Sequence, residues 1–155
     1  MKGKISRKDS KASLKVSHVI GFIASDHRGY ALKEHLKGRF TFIDLGPFDC
    51  DKKVDYPDYA DRLCKYVLKE RSRGILICST GIGMSIAANR HKGIRAALCH
   101  NEGVAEIARY HNDANVLVLA GDYISPKEAE KIVKVFFDGR FSNEERHKRR
   151  IKKLG

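Results

Sequence analysis

Along this chain, short and wholly apolar runs alternate with stretches whose apolar residues return every three or four positions. The first run, VIGFIAS at 19–25, is too brief for a buried helix, so it predicts a strand covered on both faces. The helical pattern YALKEHLKGRF at 30–40 follows, then the short strand TFIDL at 41–45 and an irregular acidic turn containing Pro47 and Asp49. A helix over 55–70, entered near Pro57, leads to the strand GILIC at 74–78 and a helix over 84–91. IRAALC at 94–99 and NVLVLAG at 115–121 predict the last two strands, with a helix over 101–111 between them. Ser125 and Pro126 form an N-cap and first-turn pair for a helix over 126–137, because proline suits the first helical position. A basic helix over 143–154 closes the chain.

Five apolar strands separated by helices predict a parallel sheet, since parallel neighbours require crossover connections and these are right-handed. The expected fold is a three-layer α/β/α sandwich with a five-stranded parallel, Rossmann-like sheet and a C-terminal basic helix. A length of 155 residues provides one full core and not two ordinary domains, so residues 18–155 read as a single domain. In such sheets ligands gather beyond the carboxyl ends of the strands, where helix N-termini point. Asp26 and His27, the segment 78–83, Asn101 and Asp122 fall at those ends.

Charge alters this picture only at the termini. Of the formal net charge of +12, residues 1–17 carry +5 (six Lys/Arg against Asp9) and residues 139–155 another +5 (seven against Glu144 and Glu145). The body between them is close to neutral, which suits a local anion site better than a nucleic-acid groove. The first seventeen residues, rich in Lys and Ser, read as a disordered basic extension rather than a transit peptide. No apolar run approaches a membrane span, and no apolar signal core follows the basic start, so a cytoplasmic protein is expected. Cys50, Cys64, Cys78 and Cys99 lack CxxC spacing, which points to free thiols and against a metal site.

The segment GILICSTGIG at 74–83 concentrates the candidate chemistry. A strand ends in the thiol of Cys78 and passes directly into a turn in which Gly81 and Gly83 permit close approach. Strand, tight turn and helix N-terminus together gather unpaired N–H groups and favour an anion. An ordinary thiol titrates at roughly 8.5, so such a setting favours the thiolate that acts as a base near neutrality. Taken alone, Cys78 reads more simply as a buried structural thiol, His111 as a helix-end residue and His27 as a polar turn residue. Context changes those readings.

Four motifs occur in order: SDHRGY at 25–30, CSTGIG at 78–83, RYHNDANVL at 109–117 and ERHKRR at 145–150. With the IAAN helix between the second and third, this set resembles the ribose-5-phosphate isomerase B family and its relatives acting on allose and galactose 6-phosphates. The resemblance spans about residues 18–154 and implies cofactor-independent interconversion of an aldose phosphate and a ketose phosphate through a cis-enediolate, in the pentose phosphate pathway. It implies Cys78 as the general base, Thr80 as a proton relay between the sugar oxygens, and His111 as the group that opens the sugar ring. The amides of Ser79, Gly81, Ile82 and Gly83, with Asn112, would hold the enediolate oxygen. Asp26 and His27 would hold hydroxyls, and Arg146 and Arg150, four apart on one helix, would grip the phosphate. Tyr56 and His147 are weaker site candidates. The resemblance further implies a homodimer with shared sites, His111 facing Cys78 from the other subunit, and allows a dimer of dimers.

Two positions depart from the family pattern. Where one branch carries a glutamate base just after the turn, this chain has Met84, which favours Cys78. Where relatives commonly carry an arginine for phosphate after the fifth strand, this chain has Asp122, so either another cation compensates, such as one of the Lys and Arg of the final helix, or phosphate affinity is reduced. Cys50, Cys64 and Cys99 are assigned structural roles, and His18, His35, His91 and His100 no catalytic one, since none forms a triad or metal set. Three alternative functions stand beside this one. One is the same chemistry on a six-carbon sugar phosphate. Another is nucleic-acid binding through the basic termini, which a steep salt dependence would reveal. The third, a flavodoxin-like module, is disfavoured because the glycine turn follows the third strand and lacks GxGxxG.

Overall fold

All five strands run in the same direction, in the order β2-β1-β3-β5-β4. They are β1 (Gly21–Ser25), β2 (Phe42–Asp44), β3 (Gly74–Cys78), β4 (Ala96–Leu98) and β5 (Val116–Ala120). The computed structural model describes residues 18–155, and the basic extension expected over 1–17 lies outside the described residues. Among the described residues six helices flank the sheet: α1 (Tyr30–Lys37), α2 (Tyr56–Glu70), α3 (Ile82–Ala88), α4 (Glu102–Asn112), α5 (Pro126–Asp138) and α6 (Glu145–Leu154). Among the described residues no helix is long and apolar enough to cross a membrane.

The period-two alternation of the central strands divides the core into two layers. Ile23, Ile75, Ile77, Leu117 and Leu119 face α1, α4 and α5, where Leu36, Ala105, Ile132 and Phe136 meet them. Phe22, Ala24, Leu76, Cys78, Val116 and Val118 face α2 and α3, where Leu63, Val67, Met84 and Ala88 lie. Each large aliphatic side chain buried this way contributes about 1.5–3 kcal/mol, which is why the three central strands read as continuous apolar runs. The N-cap expected at Ser125 is present, and the structure adds a capping box in which Ser125 and Glu128 bond each other's backbone amides.

Three features depart from the periodicity. α1 ends at Lys37 because Gly38 and Phe40 return their N–H groups to Glu34 and Leu36 and turn the chain toward β2. α3 begins at Ile82, two residues before the expected start, and ends at Ala88 rather than 91. Asn89 accounts for that end: its side-chain amide bonds both the N–H and the carbonyl of Ala96, each at 2.9 Å, and ties the helix end to β4. The third difference is Lys33, on a helix read as amphipathic. It is fully buried, and its Nζ reaches both oxygens of Asp44 at 2.8 Å and the Pro47 carbonyl at 2.6 Å. The Lys33 ammonium therefore secures the loop after β2.

Candidate active site

β3, bonded on both sides within the sheet, ends on Cys78, and the turn that follows folds back onto its sulfur. The Gly81 N–H donates to Cys78 Sγ at 3.2 Å. Gly81 has φ +74°, and a Cβ there would run into Leu98, so a glycine is required on two counts. Thr80 Oγ1 accepts from the Ile82 N–H at 3.3 Å as α3 begins. The Tyr56 ring, at the start of α2, lies against Gly83 in the space a Cβ would occupy. Cys78 is 5% exposed, Ser79, Thr80 and Gly83 are partly exposed, and Ile82 is exposed.

Two neighbouring loops close around this turn. After β1, Asp26 donates its N–H to the Ile77 carbonyl, while its buried carboxylate accepts the Gly29 N–H at 2.8 Å. His27 Nδ1 accepts from the Val54 N–H at 3.2 Å, so in the neutral ring the proton sits on Nε2 and is available to a ligand. After β5, Gly121 donates to the Cys78 carbonyl at 2.8 Å and Asp122 to the Ser79 carbonyl at 3.0 Å. Asp122 Oδ2 accepts from Ser79 Oγ at 2.6 Å and from Arg28 Nη2 at 2.7 Å. The Ser79 hydroxyl, and then Arg28, hold the Asp122 carboxyl below the usual carboxylate range. The cation facing Asp122 is thus Arg28 of the β1–α1 loop.

His111 and Asn112 lie elsewhere. α4 starts just beyond the carboxyl end of β4 and runs back along the sheet for eleven residues, roughly 16 Å at 1.5 Å per residue. It ends where the Asn112 carbonyl accepts from Arg95 Nε at 2.9 Å, immediately before β4. Within one chain His111 is therefore at the amino ends of the strands, a helix length from Cys78. α6 packs beside it, with the His147 ring 4.4 Å from that of His111. His147 is 3% exposed, and its Nδ1 is 2.6 Å from Ser142 Oγ. Burial lowers its pKa from the ordinary value, reinforced by His111, Arg146 and Arg150. Arg146 and Arg150 are exposed on α6, with Arg146 bonded to Glu144 at 2.7 Å. Asp26, His27, the 78–83 turn, Tyr56 and Asp122 thus form one group, and His111, Asn112, Arg146, His147 and Arg150 belong to a second group at the opposite end.

A family model described as Ribose/Galactose Isomerase matches residues 22–154. The chain belongs to this family. A probable ribose-5-phosphate isomerase B of Mycoplasma genitalium is 46% identical over 140 residues, covering 86% of this chain and 91% of the relative. A Bacillus subtilis protein called putative sugar phosphate isomerase YwlF is 44% identical over 139 residues, covering 85% and 92%. The crystal structure of a ribose 5-phosphate isomerase from Thermotoga maritima superposes with a TM-score of 0.84 at 45% identity, covering 88% of this chain and 97% of that one. As in other ribose/galactose isomerases, the sheet is parallel and flanked by helices on both faces.

The other cysteines are placed differently from Cys78. Burial pushes the Cys64 and Cys99 thiols up to about 12, which keeps them protonated, and Cys50 is exposed. Among the described residues no group of three or more His, Cys, Asp or Glu is arranged to hold a metal ion. Two residues near the site escaped the sequence reading. Arg28 sits inside the SDHRGY motif, and its partnership with Asp122 spans 94 positions, so no local pattern announces it. Lys33 was hidden by its helical spacing, and the one signal for it is the acid inside the apolar run TFIDL, which calls for a cation nearby.

Proposed function

We propose that this member of the ribose/galactose isomerase family interconverts ribose 5-phosphate and ribulose 5-phosphate without a cofactor, in a homodimer whose two sites each draw on both copies. In the opened aldose, the Cys78 thiolate removes the C2 proton. The electron pair forms the C1–C2 double bond and pushes charge onto O1, giving the cis-enediolate. Thr80 relays the O2 proton to O1 as the C2 carbonyl forms, and the proton held on sulfur is delivered to C1, so the atoms balance. The turn amides stabilise the oxyanion, and Asp26 and His27 orient the sugar. His111 of a second copy protonates the ring oxygen on opening, and Asn112, Arg146 and Arg150 of that copy complete the oxyanion and phosphate contacts.

The observation that carries this reading is the Gly81 amide on Cys78 Sγ, in a strand-end turn where the following helix begins. The separation of His111 from Cys78 within one chain supports a two-copy site, since one copy alone would leave the ring-opening group a helix length away. Exposed apolar side chains on the outer faces of α3 and α4, namely Ile82, Ile86, Ile107 and Tyr110, support an association surface. The decisive assay is ketose formation from ribose 5-phosphate in the presence of EDTA, run beside allose 6-phosphate and galactose 6-phosphate. Turnover that is fastest on the pentose phosphate and lost in Cys78→Ala supports the proposal. A preference for a hexose phosphate moves the assignment to the six-carbon branch, and full activity in Cys78→Ala removes the base.

A further inference from the structure

The loops after β1 and β5 meet over the end of β3, where Gly29 is pressed against the Ile77 backbone and Gly121 against Gly29 and the Cys78 carbonyl. This contact sets Arg28 and Asp122 side by side, one residue out from each glycine. Asp122 Oδ2 then collects the Ser79 hydroxyl and the Arg28 guanidinium, so the guanidinium stands one hydrogen-bonded oxygen away from the residue that follows Cys78. An exposed ion pair ordinarily adds little stability. This one joins three loops at the carboxyl ends of the strands, beside the candidate base.

We propose that Arg28, tethered by Asp122, grips the phosphate of the substrate at the mouth of the Cys78 site. The inference rests on the sugar-phosphate reading above and names a contact within it. A guanidinium has five N–H donors, and Asp122 occupies a single one at hydrogen-bond distance. The Arg28 side chain is 60% exposed, which leaves the other donors open to a second, outer anion. Tethering also removes rotamer freedom that an unrestrained arginine would lose on binding. His27, the preceding residue, presents Nε2–H from the same loop, so the two form a short cationic and donor edge. Asp122, a charge of the wrong sign for phosphate, is instead the anchor of the cation.

The test compares wild type, Arg28→Ala and Asp122→Ala in steady-state kinetics with ribose 5-phosphate and in calorimetric titration with inorganic phosphate. Phosphate recognition by Arg28 raises KM about tenfold or more in Arg28→Ala with kcat changed less than about threefold, and weakens inorganic phosphate binding in parallel. Asp122→Ala, which frees the guanidinium, raises KM by a smaller factor of about three. An unchanged KM in Arg28→Ala, an unchanged or lowered KM in Asp122→Ala, a loss confined to kcat, or phosphate binding that is equal or undetectable in wild type and Arg28→Ala overturns the inference. A wild type that binds phosphate and fails to turn over ribose 5-phosphate sinks the preceding proposal alone, and the titration still decides the role of Arg28.

Discussion

At the carboxyl ends of the strands the candidate chemistry is held by backbone. Cys78 is the last residue of the central strand, its sulfur takes a main-chain amide, and the flanking loops bond to the carbonyls of Ile77, Cys78 and Ser79. At the amino ends it is held by side chains of two helices: His111 leans on His147, which leans on Ser142, and the arginines project from the exposed face of α6. The first region inherits the rigidity of a sheet buried on both faces. The second depends on how a ten-residue basic helix seats against α4. A group meant to hold developing charge gains from the first arrangement, while groups that bind and release a sugar tolerate the second.

The sharpest way to break this comparison is to disable each region in a separate chain. Cys78→Ala and His111→Ala are each expected to lower kcat by about 10³-fold if they act as base and acid. Unfolding and refolding the two inactive proteins together should restore about a quarter of wild-type activity, because half the dimers are mixed and each mixed dimer keeps one site intact. No recovery in proteins shown to mix would mean that the two regions do not share a site.

Next in size are two changes to the carboxyl-end scaffold. Lys33→Met removes the fully buried partner of Asp44, leaves Lys37 as its remaining cation at 2.6 Å, and should cost about 1–3 kcal/mol in urea denaturation. Gly81→Ala forces a side chain into a left-handed conformation and against Leu98, with an expected loss of about 2–3 kcal/mol. Loss of stability in these variants should bring loss of activity with it. An active, fully stable Gly81→Ala protein would deny that the turn is constrained.

The smallest effect concerns the amino end. Because the His147 pKa is lowered in the folded protein, the unfolded chain binds its proton more readily. The corresponding stability is present above the ordinary histidine value near 6.5 and is lost as pH falls through the lower folded value. His147→Gln should therefore show a smaller drop in Tm between pH 7.5 and pH 5.5 than wild type. Parallel profiles would assign the acid sensitivity to other groups.

Most of the layer structure was legible because strands covered on both faces are apolar without interruption, as in GILIC and VLVLA, and because Ser125 and Pro126 announce a helix start. The carboxyl-end residues were legible for the same reason, since Cys78 and Asp26 immediately follow such runs. α3 was misread at both ends. Its start depends on the left-handed turn at Gly81, and its end on the bonds between Asn89 and Ala96 seven positions away.

The order of the elements, the parallel sheet and the family follow from residue order, because periodicity and contiguous motifs are written in neighbouring residues. Which charges meet, and which groups are kept apart, emerges only in the folded chain. Arg28 finds Asp122 across 94 positions, Lys33 is drawn inside by Asp44, and α4 carries His111 to the far end of the sheet from Cys78. The reason is physical: Coulomb and hydrogen-bond energies depend on distance in space, and distance in space is set by how crossovers fold the chain back on itself.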